Sequence, residues 1–334
     1  MVGHNIIVVG TSAGGVETLT RLVQRLPANL PAAVFVVMHF PAFGVNVLPQ
    51  ILSRQGTLPA VHAAHNEAIQ LGRIYIAPPD YHLLIHRHTI KLSHGPRENG
   101  HRPAVDTLFR SAAWSYGKRV VGVVLSGMLD DGTAGLAMIK ARGGIAIAQD
   151  PDEAIFNGMP RSAIERVTVD HILNLKDLAI CLIQLTQTNV VEDTPVTPEN
   201  NADAEYVSQD RAALERGERP GTVSPLTCPE CGGVMWELDD PLLRFRCHTG
   251  HAYSLDSLLS EQADEVERAL WSAVRVLEEK VSLSHRMANH AREQQRSLSV
   301  TQFEERAAEA KRHADLLRQV ILQQKQMTNQ EAEN

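Results

Sequence analysis

The stretch Asn5-Ile6-Ile7-Val8-Val9-Gly10-Thr11-Ser12-Ala13-Gly14-Gly15 leads directly into an amphipathic segment running from Val16 to Leu26. Ile6–Val9 is apolar at successive positions, so both faces of the strand it predicts must be buried. A glycine-rich turn followed by helical spacing makes the stretch a strand–turn–helix unit. The same alternation continues outward. Strand-like runs at Ala33–Met38, Ile74–Ala77, Thr89–Leu92, Val120–Leu125 and Ile145–Gln149 are interleaved with helical patterns at Leu48–Arg54, Val105–Tyr116, Ala134–Ala141 and Leu175–Thr186. Buried strands alternating with helices predict an α/β domain over residues 1–187, built on a doubly wound, mostly parallel sheet.

Composition narrows the class. With 43% hydrophobic residues in 334, the chain has enough apolar side chain for a substantial core. Its longest apolar runs, such as Ile6–Val9 and Ala32–Met38, fall well short of the ~20 residues that cross a bilayer. No membrane insertion is expected, and the N-terminus lacks the basic start of a signal peptide. A net charge of −7 argues against a phosphate-backbone partner. Four cysteines do not make a disulfide framework, and three of them cluster late in the chain. These features predict a cytoplasmic protein.

Gly10-Thr11-Ser12-Ala13-Gly14 fits G-x-S-x-G between a strand and a helix, a turn that lifts a serine side chain above the sheet. Its rival reading is a dinucleotide-binding loop, which needs an acidic residue near the end of the second strand. His39 stands there instead, in Met38-His39-Phe40-Pro41. Strands of a parallel sheet that end on one edge would put Ser12 and His39 on a common rim, where a base could take the serine proton. A carboxylate from a third strand end would complete the set. Ser126-Gly127-Met128-Leu129-Asp130-Asp131-Gly132 follows a predicted strand and offers Asp130 or Asp131, one of which is expected to cap the helix that follows.

These runs resemble the catalytic domain of the CheB family, the bacterial chemotaxis protein-glutamate methylesterases. Tyr75-Ile76-Ala77-Pro78, His101-Arg102-Pro103-Ala104-Val105-Asp106, Ala148-Gln149-Asp150 and Gly158-Met159-Pro160 carry the same resemblance across residues 3–187. It implies a hydrolase that removes methyl groups from glutamate γ-methyl esters of chemoreceptor-like proteins, releases methanol and also deamidates glutamine. Carried over, Ser12 is the nucleophile, His39 the general base and Asp131 the orienting carboxylate, since the family places its aspartate directly before the glycine. Ala13 and Met128 fall beside the oxyanion and substrate site. The family usually has Thr after the nucleophile and Gln before the histidine, where this chain has Ala13 and Met38. The chain opens on the first strand of the catalytic domain, so control by a receiver domain in front of it is not expected. No cofactor is expected in catalysis. The competing reading is a non-catalytic signalling scaffold working through the C-terminal tail.

Beyond residue 187 the character changes. Residues 188–227 read as an acidic linker: Glu192–Asp210 carries six acids and no base, with a helical turn expected near Arg211–Arg216. Residues 228–253 contain Cys228-Pro229-Glu230-Cys231 and Cys247-His248-Thr249-Gly250-His251, the spacing of a zinc-ribbon-like module. Cys228, Cys231, Cys247 and His251 are the predicted ligands of a structural zinc ion, with His248 the alternative fourth ligand. Acidic Glu230, Glu237, Asp239 and Asp240 outnumber Arg244 and Arg246, which argues against nucleic acid and for a protein contact. Over 254–326, Leu255, Leu259, Ala263, Val266 and Leu270 open one helical stripe. Phe303, Ala307, Ala310 and Ala314 carry another, expected to begin at a capping box in Thr301–Glu304. Two such stripes predict a helical hairpin or a coiled coil that joins copies of the chain. Cys181 reads as a core residue, and His82, His86, His88 and His94 as exposed strand residues.

Overall fold

The computed structural model describes residues 3–41, 46–190, 221–238 and 242–332, the side chains of 324–332 excepted. Most of the acidic linker, with the helical turn expected near Arg211–Arg216, lies outside the described residues. The chain divides into two units, Met1–Leu258 and Leu259–Asn334.

The first unit begins β1 (Ile6–Thr11), α1 (Gly15–Val23), β2 (Ala33–Met38), α2 (Leu48–Gln55), β3 (Ala60–His62) and β4 (Arg73–Ile76). A hairpin of β5 (His82–His86) and β6 (Thr89–Ser93) follows. Then come α3 (Val105–Tyr116), β7 (Val120–Val124), α4 (Thr133–Ala141), β8 (Ile145–Gln149), α5 (Gly158–Arg166), β9 (His171–Leu173) and α6 (Leu175–Gln187). Seven strands form one sheet in the order β3-β4-β2-β1-β7-β8-β9, with every neighbouring pair parallel. The apolar runs alternate between two cores. Ile6 and Val8 pack with α3, α4 and α5, while Ile7 and Val9 pack with α1, α2 and α6. Strands buried on both faces are what continuous β-branched runs produce.

The register positions the site. Thr11 pairs with Met38, so Ser12 and His39 are the next residues on adjacent strands. β7 lies on the other side of β1, with Gly10 opposite Val124. The chain therefore reverses its winding direction at β1, and crevices in open α/β sheets form at such a switch point.

Several elements escaped the sequence reading, three of them in the parallel sheet and its helices. β3 and β9 are three-residue edge strands, too short for a period to register. Helix α5 begins with Gly158-Met159-Pro160. Those residues suggest a turn, but a proline in the first helical turn removes no intrahelical hydrogen bond. One expectation is corrected: His82 is not exposed. It is 1% accessible, and its Nε2–H donates to the Pro96 carbonyl at 2.9 Å, while Nδ1 faces the Ala104 N–H at 3.3 Å.

A second, antiparallel sheet belongs to the same unit: β10 (Gly221–Thr227), β11 (Val234–Leu238), β12 (Phe245–Cys247) and β13 (Ala252–Tyr253). Gly221–Thr227, expected to close the linker, is thus a strand. Its neighbour β11 supplies a hydrogen-bonding partner that no local pattern announces. Helix α7 (Leu255–Glu293) starts here, and residues 259 onward belong to the second unit.

In that second unit α7 lies antiparallel to α8 (Ser297–Ala332), with Arg292 paired to Glu304 and Arg318 to Glu278. Ala307, Ala310, Ala314 and Ile321 of α8 are buried, as their spacing predicts. The first α7 stripe differs, because Leu259 and Val266 are exposed. The capping box expected at Thr301–Glu304 is also corrected. Helix α8 starts four residues earlier, and the Thr301 hydroxyl donates back to the Ser297 carbonyl at 3.4 Å.

Candidate active site

Ser12 sits in the tight turn between β1 and α1. Gly14 closes that turn as the α1 N-cap with φ 74°, a left-handed conformation that costs glycine little. A Cβ at Gly14 would lie 2.8 Å from Ser126 Oγ, so the close approach also requires glycine. The Ser126 carbonyl accepts from the Ser12 N–H at 3.0 Å and the Thr11 hydroxyl at 2.6 Å, which ties the turn to the end of β7.

His39 bridges Ser12 and Asp131. Its Nδ1 lies 3.1 Å from Ser12 Oγ and its Nε2 lies 2.7 Å from Asp131 Oδ2. Asp131 is 2% accessible and the His39 side chain 7%, so the relay is shielded from water. With Asp131 ionised, Nε2 carries the proton and donates. Nδ1 is left with its lone pair toward the serine, which makes it the acceptor of the Ser12 O–H proton.

Asp131 is held by four donors. Besides His39, the Val105 N–H donates at 2.7 Å, the Asp106 N–H at 3.1 Å and Asn99 Nδ2 at 2.9 Å. The two backbone donors are the first N–H groups of α3, whose partial positive end favours a carboxylate. Burial pushes the Asp131 carboxyl up. The hydrogen bond and charge of His39, with the Val105 N–H, outweigh that and hold it well below the usual carboxylate range. This corrects the expected helix-capping role in a specific way. The following helix, α4, takes Gly132 as its N-cap with no side-chain cap, whereas Asp131 serves the N-terminus of α3. Asp106, buried beside Asp131, is pushed up to about 7 by burial and by that neighbouring charge. Of the two carboxyls, Asp106 is the one whose proton affinity is raised and Asp131 the one whose proton affinity is lowered.

Two neighbours of the triad were not among the expected site residues. His101 stacks on His39 with ring centroids 3.6 Å apart, and burial plus the charge of His39 lower its pKa to about 4. A neutral ring therefore lies against His39 at neutral pH. Asn99, besides donating to Asp131, donates to Asp106 at 3.1 Å. Asn99 and His101 share a turn, and only the fold brings that turn to the rim.

Beside Ser12, the Gly127 N–H is engaged by the Phe156 carbonyl at 2.9 Å. Among the described residues the N–H groups of Ala13 and Met128 donate to no protein acceptor, and the Met128 side chain is exposed. Ala13 directly follows Ser12, and Met128 follows Gly127, where an added Cβ would lie 3.1 Å from Ser12 Cβ; unengaged donors near a serine suit an oxygen that acquires negative charge.

A second cluster gathers Cys228, Cys231, Cys247 and His251, with ligand atoms all within 4.8 Å of one another. Cys231 Sγ is 3.6 Å from Cys247 Sγ, and His251 Nδ1 is 3.7 Å from Cys228 Sγ and 3.5 Å from Cys247 Sγ. A tetrahedron with metal–sulfur bonds of ~2.3 Å has edges of ~3.8 Å, so the donors fit a zinc-sized ion. Both knuckles are closed by backbone hydrogen bonds, Gly232 N to Cys228 O at 2.8 Å and Gly250 N to Cys247 O at 3.0 Å. Glu230 Oε2 lies 3.5 Å from His251 Nε2, the carboxylate–histidine pairing that orients a metal-bound imidazole. His248 is exposed beside Trp236 and outside the cluster.

Residues 7–182 match the family model described as CheB methylesterase. A protein of Leptospira interrogans is 38% identical over 188 residues, covering 56% of this chain and 97% of that one. A Methanosarcina mazei protein named protein-glutamate methylesterase/protein-glutamine glutaminase 2 is 37% identical over 192 residues, covering 55% of this chain and 52% of its own length. The crystal structure of the Thermotoga maritima CheB methylesterase catalytic domain superposes with a TM-score of 0.52 at 34% identity, covering 54% of this chain and 98% of that one. With the strand order, the Ser12–His39–Asp131 geometry and the family match in agreement, the chain belongs to the CheB methylesterase family.

Proposed function

We propose that this chain is a serine hydrolase acting on glutamate γ-methyl esters of chemoreceptor-like signalling proteins, releasing methanol, and that it also deamidates glutamine side chains. The observation that carries the reading is the continuous relay from Ser12 Oγ through His39 to Asp131, at 3.1 and 2.7 Å. The names of the relatives supply the substrate class.

Ser12 Oγ attacks the ester carbonyl as His39 Nδ1 takes its proton, and Asp131 stabilises the resulting imidazolium. The carbonyl oxygen becomes an oxyanion and accepts from the Ala13 and Met128 N–H groups. As the intermediate collapses, the C–O bond to the methoxy group breaks and His39 returns the proton, so methanol leaves. Water then attacks the acyl-serine with His39 as base, freeing the glutamate carboxylate and restoring Ser12. For a glutamine side chain the departing group is ammonia. His101, stacked on His39 and neutral, fixes the plane of the base without competing for its proton.

Four saturating donors leave no open coordination position, so a zinc ion held by Cys228, Cys231, Cys247 and His251 would organise its module and take no part in the reaction. Arg244 and Arg246 of that module are buried, which leaves little cationic surface for nucleic acid. Four free cysteines favour the cytoplasm. No described helix is long and apolar enough to cross a membrane. The domain scheme extends the same reading: a hydrolase over 1–187, an acidic linker, the metal module and a helical hairpin. Exposed Leu259, Val266 and Val276 support self-association through the hairpin.

A fluorophosphonate probe tests the nucleophile. Covalent labelling should map to Ser12 and be lost in Ser12→Ala. Labelling at another serine, or none in folded protein, would overturn the assignment.

A further inference from the structure

The triad and the Cys/His module meet at one turn. Glu98–His101 is closed on itself by reciprocal hydrogen bonds, Glu98 N to His101 O at 3.1 Å and His101 N to Glu98 O at 2.9 Å. From this turn Asn99 reaches Asp131 and His101 stacks on His39, so two of the three triad members rest on it.

The module holds the same turn from the opposite side. The Ala252 N–H donates to the Arg97 carbonyl at 3.3 Å, and the Asn99 N–H donates to the Ala252 carbonyl at 2.8 Å. The Ser254 N–H donates to Asn99 Oδ1 at 2.9 Å. That last bond fixes which way the Asn99 amide faces. With its oxygen taken by a donor, its NH2 group points at Asp106 and Asp131, whereas the flipped amide would set a carbonyl against two carboxyls. Asn99 holds this pose at φ 52°, a left-handed conformation that needs support from its surroundings.

A second set of contacts reaches the residue next to the triad carboxylate. The Ser254 and Ser257 hydroxyls donate to Asp130 Oδ1 at 2.6 and 2.9 Å, and Arg166 bridges Asp130 to Asp256 at 3.0 and 2.6 Å. The docking segment begins at Ala252, directly after His251, whose carbonyl accepts from Cys247 N–H at 2.9 Å. The chain is therefore anchored in the metal cluster one residue before it docks.

We propose that the Cys/His module is a positioning element for the triad: docked through Ala252–Ser257, it aims the Asn99 amide at Asp131, so that Ser12 reactivity in this chain depends on metal held by Cys228, Cys231, Cys247 and His251. This rests on the hydrolase and zinc readings above. Asn99 is a positioning residue that acts through Asp131 and touches no substrate. Val105, Asp106 and His39 still donate to Asp131 without it. The expected loss is therefore about tenfold, the scale of one charge-assisted hydrogen bond, and not the whole of catalysis.

The test uses the full chain. Metal content is read by mass spectrometry, Ser12 reactivity by the rate of fluorophosphonate labelling, and turnover by methanol release. Chelation of the wild type should lower the labelling rate and kcat about tenfold with KM unchanged within about twofold, and added Zn²⁺ should restore both. Asn99→Ala should lose about as much while keeping its metal, and chelating Asn99→Ala should add less than about a twofold further loss, because module and amide act as one unit. That non-additivity separates positioning from general destabilisation, in which the losses would multiply. Ser254→Pro, which deletes the orienting N–H together with the hydroxyl that donates to Asp130, should show at least the Asn99→Ala loss with its metal intact. Protein isolated well below one metal equivalent, labelling indifferent to chelation, multiplying losses, or a fully active Ser254→Pro would each overturn the proposal. Labelling without methanol release would instead count against the substrate reading alone.

Discussion

The triad and the Cys/His cluster are assembled in opposite ways. Ser12, His39 and Asp131 come from the ends of three strands, with 27 and 92 residues separating the contacting pairs. Their meeting depends on the register of a seven-stranded sheet. The cysteines and histidine sit on two local knuckles, each closed by its own backbone hydrogen bonds, and spacing alone nearly builds them. The first site is as stable as the sheet beneath it, and the second only as stable as the ion it would hold. The turn at Asn99 joins the two, so a locally built site can influence a globally built one.

The contrast can be broken most forcefully at Asp131. Asp131→Asn keeps the shape but lets the side chain donate where it must accept, and kcat for methanol release should fall by about 10³–10⁴. A loss under tenfold would mean that His39 does not depend on this carboxylate. Cys247→Ser acts on the other side of the comparison. Metal content should fall below half an equivalent, and amide-exchange protection should disappear in β11 and β12 while β1 and β7 keep theirs. Uniform loss across both sheets would show that the two sites share one stability.

A smaller effect separates two titrating groups beside the triad. His101 has its pKa lowered to about 4, so its contribution to stability is full above its ordinary value and is lost as pH falls through the lowered one. Asp106, raised to about 7, contributes most at acid pH and loses that contribution as pH rises toward 7. Between pH 7 and pH 5 the two oppose each other. His101→Gln should flatten the acid-side decline in melting temperature relative to the parent protein, and Asp106→Asn should steepen it. Equal slopes in both variants would contradict the raised proton affinity of Asp106. The smallest effect is expected at Thr301→Ala, where the residue lies inside α8 and not at its cap. Stability should change by less than about 0.5 kcal/mol in a denaturant titration, whereas loss of a true N-cap would cost about 1 kcal/mol.

What could be read from the sequence follows the same division. The parallel sheet was legible because strands buried on both faces write themselves as unbroken apolar runs. Ser12 and His39 were legible because they stand immediately after such runs. Asp131 needed the resemblance to be preferred over Asp130, since both follow the same strand. The fold then gave the two distinct work, one donating order to His39 and the other tied to Ser254 and Ser257. Asn99 and His101 were not legible as neighbours of the triad, because a turn has no period and theirs is placed by contacts from α3 and β13. His82 was misread as exposed for a related reason: its burial comes from α3 and the Pro96 segment packing over the hairpin. The α7 stripe failed in the opposite sense, since helical spacing identifies an apolar face without naming what covers it.

The central claim is that Ser12, activated by His39 and Asp131, hydrolyses protein glutamate methyl esters. Methanol release from methylated receptor fragments tests it most directly, with the parent chain and Ser12→Ala compared at equal concentration. The account predicts turnover by the parent and release by Ser12→Ala indistinguishable from buffer. Release by Ser12→Ala at the parent rate would contradict it.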